Sequence, residues 1–525
     1  MADFPALLPS PTVQSYQLSP AAQTIRTDME VGAPRARRRT RARLDRLSVR
    51  WVLTDQEMLI FRAWADSDLY AASGAAWWWI TLAMGDGGLR KREARFTGPW
   101  RAVPVSDGSV WEVTAEIEVR GGELTEDQAR GAVLGFVREN VYPTLAIDFC
   151  GDLALDSRIS FTRASTGTYI GGDGLVRTAA ANAPRFQYDA ATGQCLGLLI
   201  EEQRTNRIRQ SERFDLSPWT VRGATLVSST RTDPAGGNSA QEWTIGANAT
   251  ADLYQTVTGL SVSVAVQPSM WIWPVSTSGT LRLVNASDGT KGDWSINLSM
   301  LPAGKWTRIT VFHQAVTVNN AFVTTGAGAS GIQLYASPSV TVRLWGAQLE
   351  VGPGPTSYIP TTTSTVTRSA DVATITGTNF SSWYSAGSEA TWFAEWMGGL
   401  DITQGGYGRA LGHGTGASTL ISRTQGNNGK TVSSWDNTTP VDLAIDVYPN
   451  LVMVKSALAV TQTTRTLSAR GLIASGSHNG IFMLMNDLRL GANGNGNNYL
   501  NGTIRKLVYW PARLSNQTLI DLTSA

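Results

Sequence analysis

Between Thr205 and Thr367 short segments of alternating apolar and polar residues recur at roughly ten-residue intervals, with turn residues between them. QEWTIG, ADLYQTVTGL, GTLRLVNAS, DWSINLSML, GIQLYAS and VTVRLWGAQLEV are the clearest. Side chains of a strand point alternately to its two faces, so each segment predicts a half-buried strand. Many short strands at this spacing predict a β-sandwich of the jelly-roll kind. No short repeat period runs through it, so a triple-stranded β-helix is not supported. Composition points the same way, with 16% charged residues, 52 Gly and 19 Trp. A chain of 525 residues is too long for one core, and three or more domains are expected. The net charge of +2 gives no global attraction to nucleic acid or anionic membrane.

The predicted fold is mainly β and multidomain. Residues 1–121 predict an α+β unit. Leu47, Val49, Trp51 and Leu53 alternate as a strand, and Thr54-Asp55-Gln56-Glu57 is a capping box opening a helix to about Asp66. Met58, Phe61, Trp64 and Ala65 form that helix's apolar face. Strands are predicted over 75–84, 90–97 and 111–120. Gly121-Gly122 reads as a hinge. A linker (122–147) follows, with a helix capped by Thr125–Gln128, striped by Ala129, Val133, Phe136 and Val137, and stopped before Pro143. Residues 148–204 are Gly-rich and suit an extended neck. The jelly-roll sandwich then covers 205–370 and a second sandwich 371–525. Cys150 and Cys195 are too few for a disulfide framework and lack metal-ligand spacing, so free buried thiols made in a reducing cytoplasm are expected. MADFPALLPSPTV lacks the features of a signal peptide, and no apolar run reaches the ~18 residues of a membrane span.

FTRAST (161–166), DGLVRTAAANAPRFQYD (173–189) and GLLIEEQRTN (197–206), followed far downstream by LWGAQLEVGPGPTSYIPTTTSTVTRSAD (344–371), resemble a module of tailed-bacteriophage fibre and spike proteins. The chain departs from that module at Arg207-Ile208-Arg209, where the family runs on with apolar, Leu-rich residues. Its end, YLNGTIRKLVYWPARLSNQTLIDL (499–522), resembles the closing strand and helical turn of concanavalin-like, laminin-G-type domains. More weakly, EARFTGPWR with WEVTAEIEVR looks like small tail proteins of siphovirus-type phages. These resemblances imply a virion surface protein of the distal tail, whose N-terminal unit docks on other tail proteins. The sandwiches would then meet a host-surface glycan or appendage. Fibres of this kind imply a homotrimer.

Eight arginines lie between Arg35 and Arg50, among them Arg35, Arg37, Arg38, Arg39, Arg41 and Arg43, against the single acid Asp45. With no aromatic interleaved before Trp51, they suit a docking surface that meets acidic neighbours better than a DNA-binding arm or a merely solvated face. Trp77, Trp78 and Trp79 alternate in a strand, so at least one ring faces away from the core, either as an interface anchor or against a neighbouring domain. For the sandwich tryptophans an inward core position is the ordinary reading. Trp435 is singled out because SSWDNTT reads as a loop between strands, with Asp436 and Asn437 able to bond sugar hydroxyls. Tyr407 and Arg409 come next. Asn493, Asn495, Asn497 and Asn498 suit sugar ligands or a divalent-ion loop, and more simply turns at positive φ. Only His313, His413 and His478 are available for a His-based triad, and no GxSxG accompanies them. A glycosidase carboxylate pair among Glu389, Glu395 and Asp401 has no supporting spacing. The reading is a non-enzymatic adhesin without cofactor or metal, with a polysaccharide depolymerase or a structural tail adaptor as alternatives.

Overall fold

The computed structural model describes residues 2–12, 17–19, 24–27, 35–38, 44–84, 89–105, 109–120, 124–151, 153–245, 251–311, 313–385, 387, 389–398, 407–414, 419–424, 431–435, 440–444, 452–477, 485–493, 495–496 and 498–524. Antiparallel strands dominate, and the chain is a mainly β protein built as two compact units. Among the described residues no helix is long and apolar enough to cross a membrane.

The first unit comprises residues 1–133 and 137–142. Strand Asp45–Thr54 alternates buried and open positions and pairs along its whole length with Val110–Arg120. Thr54 caps helix Asp55–Asp66 through the expected box, in which the Glu57 amide donates to Thr54 Oγ1 and the Thr54 amide to Glu57. That helix buries Met58, Phe61, Trp64 and Ala65 against Trp51, Trp78 and Phe96. Strands Trp78–Ala83 and Leu89–Phe96 match the periodic segments, while Arg101–Val105 was not foreseen.

The linker helix is shorter than its stripe predicts. Its box forms between Thr125 and Gln128, but the helix runs only from Glu126 to Val133, and Val133 is 87% exposed. The stop is Gly135, whose φ of +74° takes the chain out of the helical region well before Pro143. Phe136 then packs in the second unit against Phe393 and Trp510.

The second unit holds two sandwiches, one inserted into the other. The inserted one has a six-stranded and a five-stranded sheet, assembled from strands between Thr220 and Val351, around a core that includes Trp243, Trp294, Leu334 and Leu344. Its host has an eight-stranded sheet centred on Ala390–Met397 and Gly502–Trp510, and a seven-stranded sheet running from Ser160–Thr162 to Pro440–Ala444. The expected closing strand and helix are present, with Ser515 capping helix Asn516–Thr523.

The extended neck does not exist. Leu145–Asp148 and Cys195–Ile200 pair with Gly502–Trp510, and Ser160–Thr162 pairs with Val372–Thr376. Residues 148–204 therefore complete the sandwich that 371–525 only begins. Short strands with many glycines read as a neck because their partners lie at the other end of the chain. The chain leaves this host sandwich through Arg204–Asn206 and returns through Val366–Arg368, and those two segments pair with each other. Beyond the stem, Arg207-Ile208-Arg209 forms no strand. The Asn206 side-chain Nδ2 donates to the Ala347 and Ile359 carbonyls, and Ile208 is fully buried.

Cys150 and Cys195 are not free thiols but a disulfide, with Cα atoms 5.7 Å apart across a separation of 45 residues. It ties the turn after Leu145–Asp148 to the start of Cys195–Ile200, two strands that pair with successive stretches of the same central strand. Closing a loop of this length restricts the unfolded chain, so Cys195→Ser should lower stability by about 2–4 kcal/mol in urea unfolding without reductant. Equal midpoints for variant and wild type would show that the bond does not form.

Candidate functional site

The residues that carry the module resemblance converge on one buried cluster of charge. Arg163 of FTRAST donates to Asp371 Oδ1 at 3.0 Å, and Arg185 contacts both Asp371 Oδ2 and, at 2.8 Å, Glu201. Arg368 lies 3.5 Å from Glu201 and 3.9 Å from Asp371. All five side chains are essentially inaccessible to solvent. Further donors go to backbone carbonyls: Arg163 to Ser165 and Ala180, Arg185 to Thr168, and Arg368 to Glu202. Ser357, from PTSYIP, accepts from Arg185 and donates to Glu201 at 2.7 Å in each case. Burial alone would push the Glu201 carboxyl up, but Arg368, Arg185 and the two Ser357 hydrogen bonds outweigh it and hold it down at about 2. Arg163, which has Asp371 alone, is lowered by burial and by the neighbouring Arg185. The cluster is a structural weld at the root of the inserted sandwich. Hydropathy reading places charged residues on the surface, and the sequence carried no sign that these five are buried.

Beside this weld a cleft of about 560 Å³ opens, floored by Glu201 and lined by segments of both sandwiches. From the host sandwich come Gln187, Tyr188 and Leu196, and from the inserted one Arg308, Thr310 and His313. Strand Thr307–Ile309 carries Arg308 over the Trp271 ring, 4.8 Å from its centroid, and one N–H donates to Ser269 Oγ at 3.0 Å. Burial lowers the Arg308 pKa, against the opposing pull of Glu350 and Glu201. The His313 imidazole accepts the Ala315 amide at Nδ1, and burial lowers its pKa too. Sequence reading singled out none of these three as ligand-binding.

The sequence-predicted site residues are not brought together there. Trp435 ends strand Thr431–Trp435, paired with Thr419 and Pro440, so SSW is strand where a loop was expected. Its side chain, that of Tyr407, and all of Asp436 and Asn437 lie outside the described residues. Arg409 is only 6% exposed within strand Tyr407–Gly412, which removes it as a presented sugar ligand. Asn498 adopts positive φ, in keeping with a turn residue, Asn493 is buried, Asn495 is exposed, and Asn497 lies outside the described residues. Eight sandwich tryptophans, from Trp219 to Trp396, are buried, whereas Trp273 and Trp306 form a half-buried edge-to-face pair.

In the first unit Trp78 is fully buried, while Trp77 and Trp79 face the other side of the sheet, as the alternation requires. Trp77 lies under the guanidinium groups of Arg95 and Arg120, and Trp79 near Lys91. Arg35, Arg37 and Arg38 lie on strand Arg35–Arg38, paired with Thr24–Thr27, and their side chains are outside the described residues, as are Arg39, Arg41 and Arg43 entirely. Of the residues weighed for catalysis, His413 is buried and burial pushes it down to about 4. Glu395 is tied to Arg505 and Lys506, while Asp401 and His478 lie outside the described residues. Among the described residues no group of three or more His, Cys, Asp or Glu is placed to hold a metal ion.

No protein-family model matches the chain, and no curated protein does. Among solved structures it is similar to the enzymatically active domain of bacteriophage CBA120 tailspike protein 4, at 15% identity and a TM-score of 0.21. That match covers 28% of this chain and 21% of the tailspike domain, so the chain spans about a fifth of that structure's length. It is also similar to mouse laminin alpha1 domains LG4-5, at 10% identity over 59% of this chain and 88% of that one, with a TM-score of 0.18. Trypanosoma rangeli sialidase matches at 10% identity over 91% and 83%, with a TM-score of 0.22. Each likeness is distant, and none of these proteins' activities carries over to this chain.

Proposed function

We propose that the chain is a non-enzymatic adhesin of a bacteriophage tail. Its N-terminal unit docks on other tail proteins, and its paired sandwiches bind host-surface glycan. The observation that supports this most is the convergence of the separated module blocks, 161–206 and 344–371, on Arg163, Arg185, Glu201, Arg368 and Asp371. Blocks that resemble a phage fibre module in sequence order also assemble as one structural element, with a cleft beside it. Shallow glycan sites hold one saccharide weakly, with Kd in the ~mM range. Presenting several copies, as a homotrimer would, raises avidity by about 10²–10⁴-fold.

The test is retention of the full chain on immobilised bacterial capsular and O-antigen polysaccharides, with reducing ends assayed in the same wells. Retention without new reducing ends is the expected result. New reducing ends would replace this reading with a depolymerase, and a chain retained on no polysaccharide would leave the tail-adaptor reading. Light scattering at micromolar concentration should give a multiple of the 56.4 kDa chain mass, and the monomer mass would remove the trimer.

A further inference from the structure

We infer that the cleft between the two sandwiches is a subsite for a carboxylate-bearing saccharide, with Arg308 as the group that grips the acid. This rests on the adhesion reading and adds to it the class of sugar and the place where it binds.

Arg308 is the cation in these surroundings that no carboxylate contacts directly. Arg163, Arg185 and Arg368 share Asp371 and Glu201, and Glu350, which accepts from the Thr356 amide and hydroxyl, acts on Arg308 only through space. Arg308 makes no ion pair with any described residue, and its buried Nε has no acceptor. A guanidinium presents five N–H donors in a planar fork that matches a carboxylate. Among the described residues one of those donors has a partner, Ser269. Trp271 supports the guanidinium from one side, so it is already oriented before a ligand arrives.

The other walls suit a sugar. His313 accepts at Nδ1, so its neutral ring carries the proton on Nε2 and adds a donor. Gln187 accepts the Ile170 amide through Oε1, which turns its NH₂ group to the remaining positions. Tyr188 contributes a half-buried ring. The carboxylates nearby make no direct contact with Arg308, and Glu350 and Glu201 act on it only through space. Glu201 is spent on Arg185, Arg368 and Ser357, and Asp189 at the rim accepts from the Ala191 and Thr192 amides of its own turn. The volume of about 560 Å³ falls within the ~300–1,000 Å³ of small-ligand sites.

The experiment is calorimetric titration of the full chain with trigalacturonate and with its methyl ester, which keeps the sugars and removes the charge. The expected result is ~mM binding of the acid, weakening with added salt, and at least about tenfold weaker binding of the ester. Arg308→Gln should lose about tenfold for the acid and little for the ester, with Arg308→Lys between them because it keeps charge without the fork. Equal affinity for acid and ester, no uptake of the acid, or an unchanged Arg308→Gln would each overturn the inference. Should Arg308→Gln melt below wild type, the acid–ester comparison on the wild-type chain decides alone. Polysaccharide retention without trigalacturonate binding would sink the subsite and leave the adhesin. Trigalacturonate binding without polysaccharide retention would do the reverse.

Discussion

Asp371→Ala is expected to lower stability by about 3–5 kcal/mol, the typical cost of removing one partner from a buried ion cluster. Asp371 accepts from Arg163 and Arg185 and from the Glu201 amide at 2.9 Å, with both oxygens fully inaccessible. Without it, Arg163 would have no carboxylate partner and Arg185 and Arg368 would share Glu201 alone. Asp371→Asn keeps the shape and removes the charge, so it should lose most of the same amount. Urea unfolding of both variants checks this, and a change of less than about 1 kcal/mol would mean that water or rearrangement takes over the role of the carboxylate.

The same cluster predicts acid lability with a defined sign. The folded Glu201 carboxyl sits at about 2, below its ordinary 4.5. Its contribution is therefore present above 4.5 and is lost as the pH falls through about 2. His413 adds to the loss at higher pH. It is held at about 4 against an ordinary 6.5, so the unfolded chain takes up a proton first and stability declines between these values. Glu201→Gln should flatten the lower part of the stability–pH profile and leave the upper part in place.

The second large effect is expected at Gly197, the first residue of GLLIEEQRTN. Its φ is +113°, and a Cβ there would lie 2.2 Å from the Ile504 carbonyl oxygen, in the backbone of the central strand. Neither the unusual dihedral nor the backbone overlap can be relieved by a side-chain rotation. Gly197→Ala should cost about 2–5 kcal/mol through strain and displacement of the strand. Gly289, which has open space at its Cβ, is the control and should change by less than about 0.5 kcal/mol on replacement by Ala. Comparable melting of the two variants would contradict the close approach of Gly197 to Ile504.

Much of the first unit was legible because its information is local. The alternation from Leu47 to Leu53, the Thr54–Glu57 box and the apolar face from Met58 to Ala65 each operate within a few residues. Steric and hydrogen-bonding preferences at that range are written into the residue types. The strand and helix that close the chain were legible for the same reason. The assembly of the second unit was not. Nothing near Leu145–Asp148 or Cys195–Ile200 indicates that both pair with Gly502–Trp510, since strand pairing depends on partners brought together by the whole fold. The disulfide follows from that pairing, because Cys150 and Cys195 approach only when their strands share a sheet. Charge showed the limit most clearly. By itself the sequence placed Arg163, Arg185, Arg368 and Asp371 in blocks that resemble one module, whereas tertiary structure alone decided that they are buried together. It also decided that Arg308, which belongs to neither block, lies beside them without a carboxylate in direct contact, since Glu201 and Asp371 are engaged by Arg163, Arg185 and Arg368.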